Sequence, residues 1–302
     1  MVKKHPDLYP DLGLEDIIEM LNRNDRKRLA NASYSTDGVK ILSDLSYKDD
    51  GDLYHNFDIY YGNSSGNLLP TVINVHGGGL VYGIKEICKQ ACVYMAKFGF
   101  NVANINYRLL PDVTLRDQIK DVIDGLTYIY ENSHRLNLRS YKIFLTSDSA
   151  GSFLTLAALA LMKDENFREI FGIKAKDIKI SGMALISPMT GLLKSGSLSL
   201  INEPARRGLT QDQIPFTDDI LKALAILPPT LITTSEEDFI RDQALSIKNF
   251  LDEKNIKNIF LDFKKTNSHP LGHGFAITHP DLEESGQVFE EINDFFKKLQ
   301  KP

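Results

Sequence analysis

From about residue 70 onward the chain alternates apolar runs of strand length with segments of helical period. That alternation restricts the fold more than any other feature. The strand-length runs are Thr71–Val75, Asn101–Asn106, Lys142–Thr146, Ile180–Ile186, Thr230–Thr234 and Asn258–Phe263. Between them lie helical patterns such as Leu115, Ile119, Val122, Leu126 and Ile129, and the last is Val288, Ile292, Phe295 and Leu299. Near-continuous apolar strands separated by helices read as a parallel sheet buried on both faces. Upstream, Val39–Leu45 and Leu53–Tyr61 alternate like strands around the turn Asp49-Asp50-Gly51-Asp52, which predicts an antiparallel pair. The expected fold is therefore α/β, with an eight-stranded, mostly parallel sheet and helices on both faces.

The rhythm breaks once. About 40 residues separate Ile186 from Thr230, including Gly191, Pro204, Arg206, Arg207, Gly208, Pro215 and a helix expected from Asp218. A connection that long inside a compact domain is usually functional, a lid for instance. The N-terminal stretch adds Leu14, Ile17, Ile18 and Leu21 at helical spacing. Together, about 1–38 and 189–227 read as a small helical cap.

Charge and cysteine usage exclude several classes of function. Forty acids against 35 bases leave a net charge of −5, which argues against nucleic acid or an anionic membrane as partner. Cys88 and Cys92 are the two cysteines, too few for a disulfide framework, and their spacing of four puts them on one helix face as buried small hydrophobes rather than a zinc site. Met1–Lys4 is followed by His5, Pro6 and Asp7, not by the apolar core of a secretory signal. The longest apolar run, Phe153–Met162, is short of the roughly 20 residues of a membrane span. A cytoplasmic protein with neither membrane nor nucleic-acid partner is expected.

Chemistry concentrates where strands end. Ser147-Asp148-Ser149-Ala150-Gly151 follows the run Lys142–Thr146 and precedes the apolar helix, the strand–turn–helix context of a nucleophile elbow. The tight turn projects the middle serine above the sheet, at a helix N-terminus where free N–H groups favour negative charge. Asp148 beside it reads as a short acceptor for N–H groups at the helix start. His76-Gly77-Gly78-Gly79 follows Thr71–Val75, and consecutive glycines let backbone N–H groups turn toward a ligand. Gly77, Gly78 and Ala150 are the expected oxyanion donors, with His76 as loop support. The loop has neither G-x-G-x-x-G spacing nor a P-loop Lys-Ser/Thr, so nucleotide binding is the weaker reading.

A serine nucleophile needs a histidine oriented by a carboxylate. His273, in the glycine-flanked turn Gly272-His273-Gly274-Phe275, is preferred over His269, and His279 reads as a surface residue. For the acid, Asp238 follows the run Thr230–Thr234. Spacing alone leaves Glu236, Glu237 and Asp242 as competitors.

The order Ser149, Asp238, His273 behind a glycine loop is that of the α/β-hydrolase fold. From about residue 38 to its end the chain resembles the hormone-sensitive-lipase-like branch of carboxylesterases, whose motifs look like H-G-G-G, Y-R-L-A-P, G-D-S-A-G, D-x-x-R-D and H-G-F. The matching segments are His76–Gly79, Tyr107–Pro111, Ser147–Gly151, Asp238–Asp242 and His273–Phe275. The departures are Ser147 for Gly, Leu110 for Ala, and Ser152 for the second Gly after the elbow. The resemblance favours Asp238 and His273 as acid and base. It implies hydrolysis of small esters of short or medium acyl or aryl groups, without cofactor or metal, and it allows a homodimer. An amidase or lactonase on the same triad, or a ligand-binding protein on a hydrolase scaffold, are the rival functions. Because the motifs run from His76 to His273, a cut at the middle would separate nucleophile from acid and base. One domain is therefore expected over residues 1–302, where length alone, at roughly 150 residues per domain, allows one or two.

Overall fold

The computed structural model describes residues 11–63, 68–193 and 197–300. The segment read for a leader pattern (Met1–Asp7) and part of the expected cap (1–10 and 194–196) lie outside the described residues.

The strands are β1 Lys40–Ser46, β2 Asn56–Tyr61, β3 Pro70–Val75, β4 Asn101–Ile105, β5 Arg139–Asp148, β6 Ile180–Ile186, β7 Thr230–Ser235 and β8 Asn258–Phe263. They form one eight-stranded sheet in the order β1-β2-β4-β3-β5-β6-β7-β8. β2 pairs antiparallel with both β1 and β4, and the six strands from β3 on run parallel. This is the mixed sheet expected, with several boundaries shifted: β5, for example, runs Arg139–Asp148 rather than Lys142–Thr146. β2 begins at Asn56 rather than Leu53, which is 83% exposed. Asp50 and Asp52 accept the N–H groups of Asp52 and Tyr54, so the acidic turn uses the donors a longer strand would need.

The helices are α1 Leu14–Asn31, α2 Lys89–Lys97, α3 Leu115–Glu131, α4 Ser149–Lys163, α5 Glu165–Phe171, α6 Asn202–Arg206, α7 Ile214–Asp218, α8 Arg241–Glu253, α9 Phe275–Thr278 and α10 Glu283–Gln300. Two apolar clusters cover the sheet, one holding α3, α4 and α8, the other α2, α9 and α10. α4 is buried nearly all round, consistent with its unbroken apolar sequence. Phe296 of α10 stacks on Phe144 of β5 with centroids 4.4 Å apart. Burying each such ring contributes about 1.5–3 kcal/mol. The helix expected from Asp218 instead ends there. Pro215 supplies the fixed φ of its first turn, and Asp219 then caps a short 3₁₀ turn, Ile220–Ala223. Among the described residues no helix is long and apolar enough to cross a membrane.

Candidate active site

The site lies where the parallel strands end. β5 runs to Asp148, and α4 starts at Ser149, whose φ of +46° puts it in the left-handed region. A non-glycine residue there is strained and persists only when its surroundings hold it. Gly151 is part of that hold. A Cβ at 151 would lie 2.3 Å from Val75 O and 2.4 Å from His76 O, so only glycine lets α4 approach the end of β3. Ser147 and Ser152, the two serines that depart from the glycine pattern, are buried and hydrogen bond to each other at 3.2 Å. Their hydroxyls are thus satisfied inside the turn.

Ser149 Oγ lies 2.8 Å from His273 Nε2, and His273 Nδ1 lies 2.8 Å from Asp238 Oδ1. Asp238 also accepts the Ile240 N–H at 3.0 Å and the Thr234 hydroxyl at 3.2 Å. Its competitors point elsewhere. Glu236 pairs with Lys264, Glu237 accepts the Leu271 N–H, and Asp242 is exposed in the first turn of α8. His269 pairs with Glu284, away from Ser149. Burial alone would raise the Asp238 carboxyl, but the charge and hydrogen bond of His273 and further donors hold it below the usual range. Burial likewise would lower His273, and the Asp238 charge and hydrogen bond outweigh it and raise the imidazole. Each partner therefore favours the ionised form of the other.

The glycine loop is anchored as expected, with one correction. His76 is buried, pushed down to about 4 by desolvation, and stacked on Tyr107 at 4.4 Å. Its ring contacts Gly77 O and Asn106, and the Tyr107 hydroxyl donates to His76 O at 2.8 Å. The Gly77 N–H, however, is already donated to Asp148 Oδ1 at 2.9 Å. Asp148 thus does not serve the helix start; it reaches across to the loop. Burial raises its carboxyl to about 6, and the Gly77 N–H and the Cys88 thiol are the donors that offset that cost. Of the three expected donors, Gly77 is engaged. Gly78 and Ala150 are left, and the cavity wall begins at Gly78 and Gly79. Cys88 and Cys92 are both buried, which pushes their thiols far up.

Two supports of the His273 turn escape sequence reading. Ser235 donates its hydroxyl to Leu271 O, and Glu237 accepts the Leu271 N–H at 2.8 Å. Ser235 ends β7 and Glu237 lies two residues beyond it, and together they grip the turn two residues before His273. No local pattern marks such a pair, because its partner lies over 30 residues away.

Ser149 and His273 open into a cavity of about 840 Å³. Met189, Leu192, Leu198 and Ile201, from the connection after β6, form one wall, and Leu21, Asn24 and Arg28 of α1 form another. Among the described residues, no group of three or more His, Cys, Asp or Glu could hold a metal. Chemically, the arrangement can pass a proton from a serine hydroxyl to an imidazole oriented by a buried carboxylate, beside free N–H groups at a helix start.

Comparison with known proteins agrees with the fold. The family described as BD-FAE matches residues 57–240, a range that includes Ser149 and Asp238 and stops short of His273. The putative alpha/beta hydrolase R526 of Acanthamoeba polyphaga mimivirus is 26% identical over 297 residues, covering 93% of this chain and 81% of that one. Isoprenylcysteine alpha-carbonyl methylesterase ICME of Arabidopsis thaliana is 24% identical over 194 residues, 60% of this chain and 45% of that protein. Among solved structures, esterase B of Lactobacillus rhamnosis superposes with a TM-score of 0.84 at 25% identity, covering 93% of this chain and 92% of that one. The sheet and its helices have the α/β-hydrolase fold of these proteins.

Proposed function

The chain belongs to the BD-FAE family, and on that footing we propose that it is a serine carboxylesterase for small carboxylic esters, with short or medium acyl or aryl groups. The observation that carries the reading is the unbroken relay Ser149–His273–Asp238, with both links at 2.8 Å.

In the proposed reaction Ser149 Oγ attacks the ester carbonyl as His273 Nε2 takes its proton. Asp238 holds the imidazole orientation and stabilises the imidazolium. The N–H groups of Gly78 and Ala150 receive the oxyanion, each worth about 3 kcal/mol in the transition state. Gly77 supports them through its bond to Asp148. His273 then protonates the leaving alcohol, and a water activated by the same imidazole hydrolyses the acyl-enzyme. α1 and the connection after β6 form the cap of a single domain and set which esters fit. The substrate is a small neutral ester met in the cytoplasm, rather than nucleic acid or a membrane.

Turnover of p-nitrophenyl acetate by Ser149→Ala is the test. The proposal expects a loss on the order of a thousandfold or more. Retained turnover would refute it. A panel of acyl and aryl esters set against amides and lactones separates the leaving groups that the relay alone does not choose.

A further inference from the structure

Ser187 follows β6, the strand between the one that carries Ser149 and the one that leads to Asp238. It is 1% exposed and has a φ of +46°. Its N–H donates to Thr233 O of β7 at 2.8 Å, so strand pairing continues one residue beyond β6 before the chain turns. Its Oγ accepts the N–H of Gly274, the residue after His273, at 2.9 Å. Its hydroxyl is also near enough to the Asp238 carboxylate to help hold it ionised. A hydroxyl has lone pairs to accept with and one hydrogen to donate, so accepting the Gly274 N–H leaves its O–H available to that carboxylate. Two residues on, the Met189 N–H donates to Ser149 O at 3.1 Å. One short turn therefore touches the acid, the neighbour of the base and the backbone of the nucleophile.

We propose that Ser187 is a positioning residue for the hydrolytic relay, its hydroxyl locking the Asp238 carboxylate to the turn that carries His273. The proposal rests on the Ser149–His273–Asp238 reading. Backbone conformation argues in the same direction. Glycine would suit a φ of +46° better than serine does. What serine adds at this position is the hydroxyl.

The experiment compares Ser187→Gly and Ser187→Ala with wild type and Ser149→Ala on p-nitrophenyl acetate, across pH, with circular dichroism to confirm folding. The glycine variant keeps the left-handed turn without strain, and the alanine variant removes the hydroxyl alone. Expected for both is a fall in kcat of about tenfold to a hundredfold, as for a misplaced catalytic group, with little change in KM. The acidic limb of kcat/KM should also move to higher pH. A carboxylate that has lost one donor holds the imidazolium more tightly, so His273 gives up its proton at a higher pH. Wild-type kcat with an unshifted limb in either variant overturns the proposal. So does a loss of kcat that merely tracks a loss of folded protein. If Ser149→Ala also retains turnover, the relay reading itself falls; if only the Ser187 variants do, this proposal alone falls.

Discussion

Ser147 and Ser152 show why a motif can tolerate departures that look costly one at a time. Each replaces a glycine of the family pattern, and each supplies the other's hydrogen-bond partner at 3.2 Å in a buried turn. Replacing Ser147 alone by Gly should destabilise the protein by about 1–3 kcal/mol, since it strands the Ser152 hydroxyl. Ser147→Gly combined with Ser152→Gly should cost less than the sum of the singles, a coupling that urea denaturation of the four proteins measures. Asp148 makes a pH-dependent prediction. Its carboxyl is raised to about 6 by burial, so the folded state favours the protonated acid. Its charge costs stability increasingly as pH rises from about 4 to 6, and the cost is constant above that. Asp148→Asn keeps an acceptor for the Gly77 N–H without the buried charge. Its melting temperature should equal or exceed that of wild type at pH 8, and the difference should shrink as pH falls through 6. Asp148→Ala should lose about 1–3 kcal/mol at low pH, because the Gly77 N–H is left unpaired, and less above pH 6, where the wild type carries the cost of the buried charge. In the proposed reaction, His273 must be neutral to accept the Ser149 proton. Because Asp238 raises it, the acidic limb of kcat/KM should lie above the ordinary histidine value of 6.5; a midpoint below that would contradict the pairing. Ser149 was legible because its chemistry is tied to a strand–turn–helix context, whereas Asp238 and His273 were picked from neighbouring acids and histidines by the family resemblance. The role of Gly77 was not. A glycine run shows which backbone can bend, but not which N–H a carboxylate 71 residues away will take.

The long parallel strands were legible as elements because burial on both faces writes itself as an apolar run. Short helices around the cavity were not. α6 and α7 have five residues each, barely more than one turn, too few for a helical period to show. Their positions depend instead on Pro215, on the Asp219 cap and on side chains from other elements. Gln243 of α8, for example, accepts the N–H groups of Thr190 and Gly191 where the chain leaves β6. α1 was legible from its period, but not its attachment. Arg28 donates to Ile87 O at 3.4 Å and Ile277 O at 3.2 Å and pairs with Asp25. One side chain so ties α1 to the segments that follow the glycine loop and the His273 turn. Arg28→Ala should loosen α1 at a cost of about 1–3 kcal/mol, as expected for losing charged hydrogen bonds. Limited proteolysis should then cut within α1 sooner than in wild type. KM should rise more than kcat falls, because α1 lines the cavity but supplies no group to the relay. Unchanged proteolysis and KM would show that α1 does not depend on this tie.

At the scale of the whole molecule, the two apolar clusters cannot be separated from each other, because adjacent residues of the same strands belong to opposite ones. Val72, Phe144, Ala184 and Leu231 face α2 and α10, and Ile73, Leu145, Leu185 and Ile232 face α3, α4 and α8. Losing the helices on one face would leave four central strands with one face open to water while the other stayed packed. Such a half-covered parallel sheet is not a stable arrangement. The proposed relay depends on the same strands, with Ser149 following the end of β5, Asp238 beyond β7 and His273 beyond β8. The chain should therefore unfold in a single cooperative transition. It contains no tryptophan, so tyrosine emission is a clean second probe. Tyr60 lies in one cluster and Tyr47 and Tyr107 in the other, and all three are buried. In urea, the tyrosine signal and far-ultraviolet circular dichroism should give coincident midpoints. Two separated midpoints would mean that one face melts alone, and residues 1–302 would then have to be described as two folding units, with Ser149 and His273 tied less tightly than a single sheet requires.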